Sequence, residues 1–187
     1  MNFALYEFPE GVETAPGDVV LYDVERGVAI RGAALTDGPA VVWALNGAET
    51  DLVTDRYKGV SSLVVGVVLQ PDTEWLVRCD RVDFPPGGVA ERHVHPGPGI
   101  RRLLYGELTI ESDEDTRTYG AGDAWFECAD YPVLATASAT ENTAFVRVLL
   151  LPVEWAGKRT IRYLDPADEE KPKLQRATIL LEEPLRL

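Results

Sequence analysis

The feature that most constrains this chain is a local pattern repeated along its length: short runs of β-branched and aromatic residues, each bounded by Gly, Pro, Asp or Asn. Residues 19–22, 28–30, 40–45, 63–69, 75–82, 102–110 and 145–151 are such runs. Side chains of this kind suit the pleated, half-buried surface of a sheet, and turn residues at these intervals end each run before a helix can grow. Helical periodicity is nearly absent. One turn is expected over 165–170, with Asp165 as the cap and Pro166 at the first helical position. The pattern predicts an all-β sandwich or barrel. Two hairpins are legible. One joins 107–111 to 116–119 through Ser112-Asp113-Glu114-Asp115, and the second turns at 137–142 between 134–136 and 145–151. The run at 175–181 reads as a last strand, packed on the barrel or on a neighbouring subunit.

The chain has 187 residues, enough to bury its own core. No repeat of fixed period, low-complexity linker or firm boundary interrupts it. It reads as a single domain, 1–187, with N-terminal strands at 1–72, a barrel core at 73–155 and a C-terminal extension at 156–187. Two Cys are too few for a disulfide framework. The formal charge of −13 repels nucleic acid and anionic lipid alike, so neither is an expected partner. The N-terminus lacks a basic start followed by a long apolar run, and no apolar stretch is long enough to span a bilayer. The expected compartment is the cytoplasm.

Histidine is the most selective residue here. The chain has two, and both lie in the tripeptide His93-Val94-His95. On a strand, residues two apart share a face, so the two imidazoles project together as a strand would offer them to one metal ion. Taken alone the tripeptide is equally a pair of hydrogen-bonded core groups. Glu91 shares their strand parity and is a candidate third ligand or a rim residue. Glu127 is a second candidate carboxylate or a paired structural one. Arg101, Leu103, Tyr105, Trp125 and Val133 are the expected pocket residues, with Arg101 suited to a carboxylate ligand.

Residues 85–106, PPGGVAERHVHPGPGIRRLLYG, resemble the first motif of the cupin superfamily, G-x5-H-x-H-x3,4-E-x6-G, with Gly87, His93, His95 and Gly106 in place. The stretch from Gly122, GDAWFECADYPV, resembles the second motif, G-x5-P-x-G-x2-H-x3-N, by its Gly-Asp turn and spacing. The resemblance covers about residues 75–152. It implies an antiparallel cupin barrel, a double-stranded β-helix or jelly roll, carrying extra N-terminal strands and a C-terminal extension. It also implies a homodimer and a divalent transition metal (Fe, Mn, Ni, Cu or Zn) at the histidines. The departures fall on the ligands. The family's Glu falls at Gly99, its second-motif His at Val133 and its Asn at Ala137, while Cys128 and Asp130 replace the motif's Pro and Gly. A metal held by the remaining pair would bind weakly, because sites of this kind use three or four protein ligands.

Three functions follow. The first is a small-molecule-binding barrel with a depleted metal site, which binds or converts a small organic acid or aromatic compound. The second is a metal-dependent, dioxygenase-like enzyme built on His93, His95 and a replacement carboxylate. The third is a non-catalytic barrel with a filled interior.

Overall fold

Each turn-bounded apolar run overlaps a strand, though 63–69 is a strand only as far as Gly66, and further strands appear where the sequence pattern is weaker. The computed structural model describes residues 1–45 and 59–185, which fall into two compact units, Met1–Thr73 and Glu74–Leu187. Among the described residues there is no α-helix, only short 3₁₀ turns such as Val153–Trp155 and Pro166–Glu170. None is long and apolar enough to cross a membrane.

The first unit holds β1 (Asn2–Phe8), β2 (Val12–Thr14), β3 (Val19–Asp23), β4 (Val28–Arg31), β5 (Ala34–Thr36), β6 (Ala40–Leu45) and β7 (Val60–Gly66). Five of these make an antiparallel sheet in the order β4-β3-β6-β1-β7, and β2 pairs with β5. Every residue of β6 is buried, as expected of an apolar run flanked by strands on both sides. Phe8, Val12, Val19, Leu21 and Val42 form the core of this unit.

The second unit holds β8 (Trp75–Phe84), β9 (Val89–Val94), β10 (Gly99–Tyr105), β11 (Glu107–Glu111), β12 (Thr116–Gly120), β13 (Ala124–Glu127), β14 (Val133–Ala137), β15 (Thr143–Pro152), β16 (Arg162–Tyr163) and β17 (Arg176–Leu185). They form two five-stranded antiparallel sheets, β13-β10-β15-β8-β17 and β12-β11-β14-β9-β16. Apolar side chains of both sheets meet in one core that includes Phe84, Leu103, Leu108, Trp125, Val133 and Phe145. Trp125 stacks on Tyr119 at 4.6 Å between ring centroids and meets Phe145 edge-on at 5.4 Å. Each such aromatic pair contributes about 0.5–1.5 kcal/mol beyond its buried area.

Two strand expectations are corrected. The run 102–110 is not one strand: Gly106, at φ 79°, breaks it, and β10 and β11 then join different sheets. A Cβ at Gly106 would lie 2.5 Å from the Asn142 carbonyl oxygen, so glycine is required twice over. The segment 137–142 is not a hairpin turn either. β14 pairs with β11 and β9, whereas β15 pairs with β10 and β8, so this connection crosses between the sheets. Local turn chemistry cannot distinguish a hairpin from such a crossing. The turn at Pro166–Glu170 forms as expected, with the Asp165 carboxylate accepting from the Ala167 amide at 2.9 Å. The C-terminal run lies along β8 as β17, at the edge of its sheet, where Pro184 costs no central ladder bond.

Candidate functional site

Alternation along a strand places every second residue of β8 on one face, so Arg78, Asp80, Val82 and Phe84 border a common cavity of about 580 Å³ inside the second unit. The facing register of β15 sets Arg147 opposite Asp80 and Phe145 opposite Val82. One end of the cavity is therefore charged and the other apolar. β10 contributes Arg101, β13 contributes Trp125 and Glu127, and β9 with the residue following it contributes His93 and His95. Leu108, Ile110, Val133 and Ala135 extend the apolar wall, and the segment after β15 borders the mouth from Gly157 to Ile161.

The charged end is organised by two buried ion pairs. Arg147 Nε and Nη2 donate to Asp80 Oδ2 at 3.2 and 2.9 Å, and Nη2 also donates to the Thr160 hydroxyl at 3.1 Å. Its Nη1 lies 3.3 Å from His95 Nε2. Arg101 Nη2 pairs with Glu127 at 2.7 Å, and Nη1 donates to the Gly99 carbonyl at 2.6 Å. Glu127 also accepts from Trp125 Nε1 at 2.8 Å. Burial pushes the Arg101 pKa down to about 10, with the Glu127 carboxylate opposing the fall, so the guanidinium stays charged at neutral pH. Arg78, outside these pairs, donates from Nε to Glu182 at 2.5 Å and to the carbonyls of Trp155 and Lys158.

Both imidazoles are held through Nδ1. His93 Nδ1 donates to the Glu91 carbonyl at 2.7 Å, and His95 Nδ1 to the Thr160 carbonyl at 3.2 Å. With the proton assigned to Nδ1 by these acceptors, each Nε2 carries a lone pair. Burial lowers the pKa of both rings, that of His95 well below its ordinary value with Arg147 adding to the effect, so both are neutral at pH 7. The rings are 4.9 Å apart between centroids. Asp80 Oδ1 is buried without a hydrogen-bond partner.

This donor set does not fit a divalent metal. Arg147 occupies the lone pair of His95, Arg101 and Trp125 occupy Glu127, and two guanidinium charges lie close by. No group of three or more His, Cys, Asp or Glu among the described residues could hold a metal ion. Gly99, where the family's Glu would stand, has no room for a side chain: a Cβ there would lie 2.5 Å from Leu149 Cδ2 and 2.8 Å from the Val148 carbonyl oxygen.

Of the expected site residues, Arg101, Trp125, Val133, His93, His95 and Glu127 border the cavity, and three others do not. Glu91 forms an ion pair with Lys171 at 2.7 Å instead. The reason is a register shift in β9. His93 pairs with Val133 and Ala90 with Ala135, so three residues on one strand match two on the other and the parity linking 91 to 93 is lost. A similar shift between Leu103 and Tyr105 turns Tyr105 outward, where its hydroxyl accepts from Arg81 at 2.8 Å. Leu103 is fully buried in the apolar core, behind the cavity wall. The residues that sequence reasoning missed are Asp80, Arg147, Thr160 and Arg78. A usable signal existed: Arg78, Asp80 and Arg147 are charged residues inside otherwise apolar strand runs, which a sheet tolerates only when they are paired within.

Residues 80–133 match the family model of the cupin domain. No curated protein matches the chain. Among solved structures, the polyketide cyclase RemF from Streptomyces resistomycificus is 16% identical over 56% of this chain and 73% of its own, with a TM-score of 0.39. An RmlC-like cupin from Shewanella frigidimarina is 15% identical over 48% and 94%, with a TM-score of 0.38. The EutQ protein of Clostridium difficile is 15% identical over 43% and 60%, with a TM-score of 0.37. The family match lies within the second unit, whose ten strands form two antiparallel five-stranded sheets around one core.

Proposed function

We propose that this cupin barrel is a binding site for a small organic acid with an apolar or aromatic body. The observation that carries the reading is a reversal of charge at the cavity. The chain as a whole has a formal charge of −13, yet seven of the described residues bordering the cavity are Lys or Arg against two acids, Asp80 and Glu127. Those two acids are consumed by Arg147 and Arg101. At the mouth, Arg159 pairs with Glu169, and Lys173 donates to the Asp168 carbonyl. Lys158 and Arg176 have no ion pair among the described residues. A net cationic, low-dielectric concavity focuses field on an anion and raises its local concentration. The apolar end, with Val82, Phe84, Leu108, Ile110 and Phe145, suits a hydrocarbon body, and about 580 Å³ falls within the usual range of small-molecule pockets.

The experiment is calorimetric titration with a matched pair, 1-naphthoate and its neutral amide. The acid is expected to bind at least about tenfold more tightly, a difference of roughly 1.4 kcal/mol. The Lys158→Glu/Arg176→Glu variant should lose most of that preference. Equal affinity for acid and amide, or no binding of either, refutes the reading.

A further inference from the structure

The two histidines stand as a metal pair would, each with a carbonyl behind Nδ1, yet the lone pair of His95 points at a guanidinium. We propose that Arg147 takes the place of a metal ion in this barrel. Its guanidinium excludes a divalent cation and offers a fixed N–H to an oxygen of the bound ligand. The ligand half of this inference rests on the small-acid reading above; the exclusion half does not.

A guanidinium has five N–H groups in a planar fork. In Arg147, Nε–H and one Nη2–H go to Asp80, the second Nη2–H goes to Thr160, and one Nη1–H goes to His95. One Nη1–H remains, on the nitrogen beside the imidazoles. The head is not free to swing aside: Asp80 and Arg147 are both buried, and three anchors from β8, from the segment after β15 and from the residue following β9 define its plane. A divalent cation at His95 Nε2 would have to displace that hydrogen bond and then sit against a fixed positive charge. The same arrangement gives a ligand a paired address. The Arg147 N–H donates, and His93 Nε2, which has no hydrogen-bond partner among the described residues, accepts. Asp80 Oδ1, buried and unpartnered in a residue that borders the same cavity, is a second orphan acceptor. A carboxylic acid bearing a hydroxyl group answers this set, with its carboxylate oxygen toward Arg147 and its hydroxyl donating to His93.

The test is a gain of function. Chelator-stripped, untagged wild-type protein is titrated with Co²⁺ and followed by visible absorption and calorimetry, alongside Arg147→Gln, Arg147→Ala and Arg147→Ala/His93→Ala. The wild type is expected to show no cobalt site. Both single variants free His95 Nε2, so that the two imidazoles can share an ion, and should show a cobalt site, weak for want of a third protein ligand, at concentrations where the wild type shows none. The double variant should lose that gain. In a second arm, Arg147→Gln should weaken 1-naphthoate binding, and 3-hydroxy-2-naphthoate should exceed its methoxy analogue in the wild type and equal it in His93→Phe. Circular dichroism confirms that each variant is folded. Wild-type uptake of one Co²⁺ per chain overturns the proposal whether or not any variant folds. Folded Arg147 variants without cobalt affinity overturn it as well. Failure of wild-type protein to bind naphthoate removes the small-acid reading and the ligand half, while the cobalt arm still decides whether Arg147 excludes metal.

Discussion

Replacing Glu127 by Leu should destabilise the barrel severely, and the structure supplies the size of the effect. Arg101 is 1% exposed and Glu127 8% exposed, and they meet at 2.7 Å. Removing the carboxylate leaves a guanidinium in the interior with the Gly99 carbonyl as its remaining close acceptor, and takes the acceptor from Trp125 Nε1. Breaking a buried pair from one side costs about 3–5 kcal/mol, because the stranded charge keeps its full desolvation penalty. For a unit of this size that lowers Tm by about 10–20 °C. Glu127→Gln keeps an oxygen for Trp125 and a dipole for Arg101, and should cost about 1–2 kcal/mol. The informative variant is Arg101→Met/Glu127→Leu, which removes both charges and fills similar volume. It should recover to within about 1 kcal/mol of wild type, a coupling of roughly 3 kcal/mol between the positions. Urea denaturation followed by tryptophan fluorescence measures all four proteins. A Glu127→Leu loss below about 1 kcal/mol, or a double variant less stable than either single one, would falsify this account of the pair as a charge balance.

Further outcomes follow from close packing and burial. Gly99→Ala should cost about 1–3 kcal/mol by overpacking against Leu149 and the Val148 carbonyl, and Gly99→Glu should create no cobalt site; a neutral effect on urea midpoint refutes the close approach. Both histidines have pKa values lowered by burial, so the unfolded chain takes up protons first as pH falls below about 6.5. Stability is then full above that pH and declines below it toward the folded-state values. The urea midpoint should drop between pH 7 and pH 5, less so in His93→Gln, and a flat profile would contradict the buried neutral rings. Cys128 is exposed and Cys79 is buried, with its thiol pKa pushed up by burial. A thiol reagent should titrate one cysteine at once and the second only in denaturant; two fast equivalents would show that β8 opens readily.

Much of the barrel is legible before folding, because strand formation and turn chemistry are local. The β-rich pattern, the hairpin of β11 and β12, the capped turn at Asp165 and the shared face of His93 and His95 need only residues close in sequence. Chemistry at the site is another matter. Two register shifts, each of one residue, turned Glu91 and Tyr105 outward, and no strand carries a mark of where its partner will slip. The crossing from β14 to β15 depended on which sheet each strand joined, a choice made by the whole core. Above all, a pair of histidines in the sequence points to a metal, while the ion that answers them is Arg147, 52 positions beyond His95 and held by Asp80 from a third strand. Residue types in sequence say which charges must be buried. Only the packed barrel decides which of them neutralise one another, because a buried charge is satisfied by whatever lies within a few ångströms of it in space.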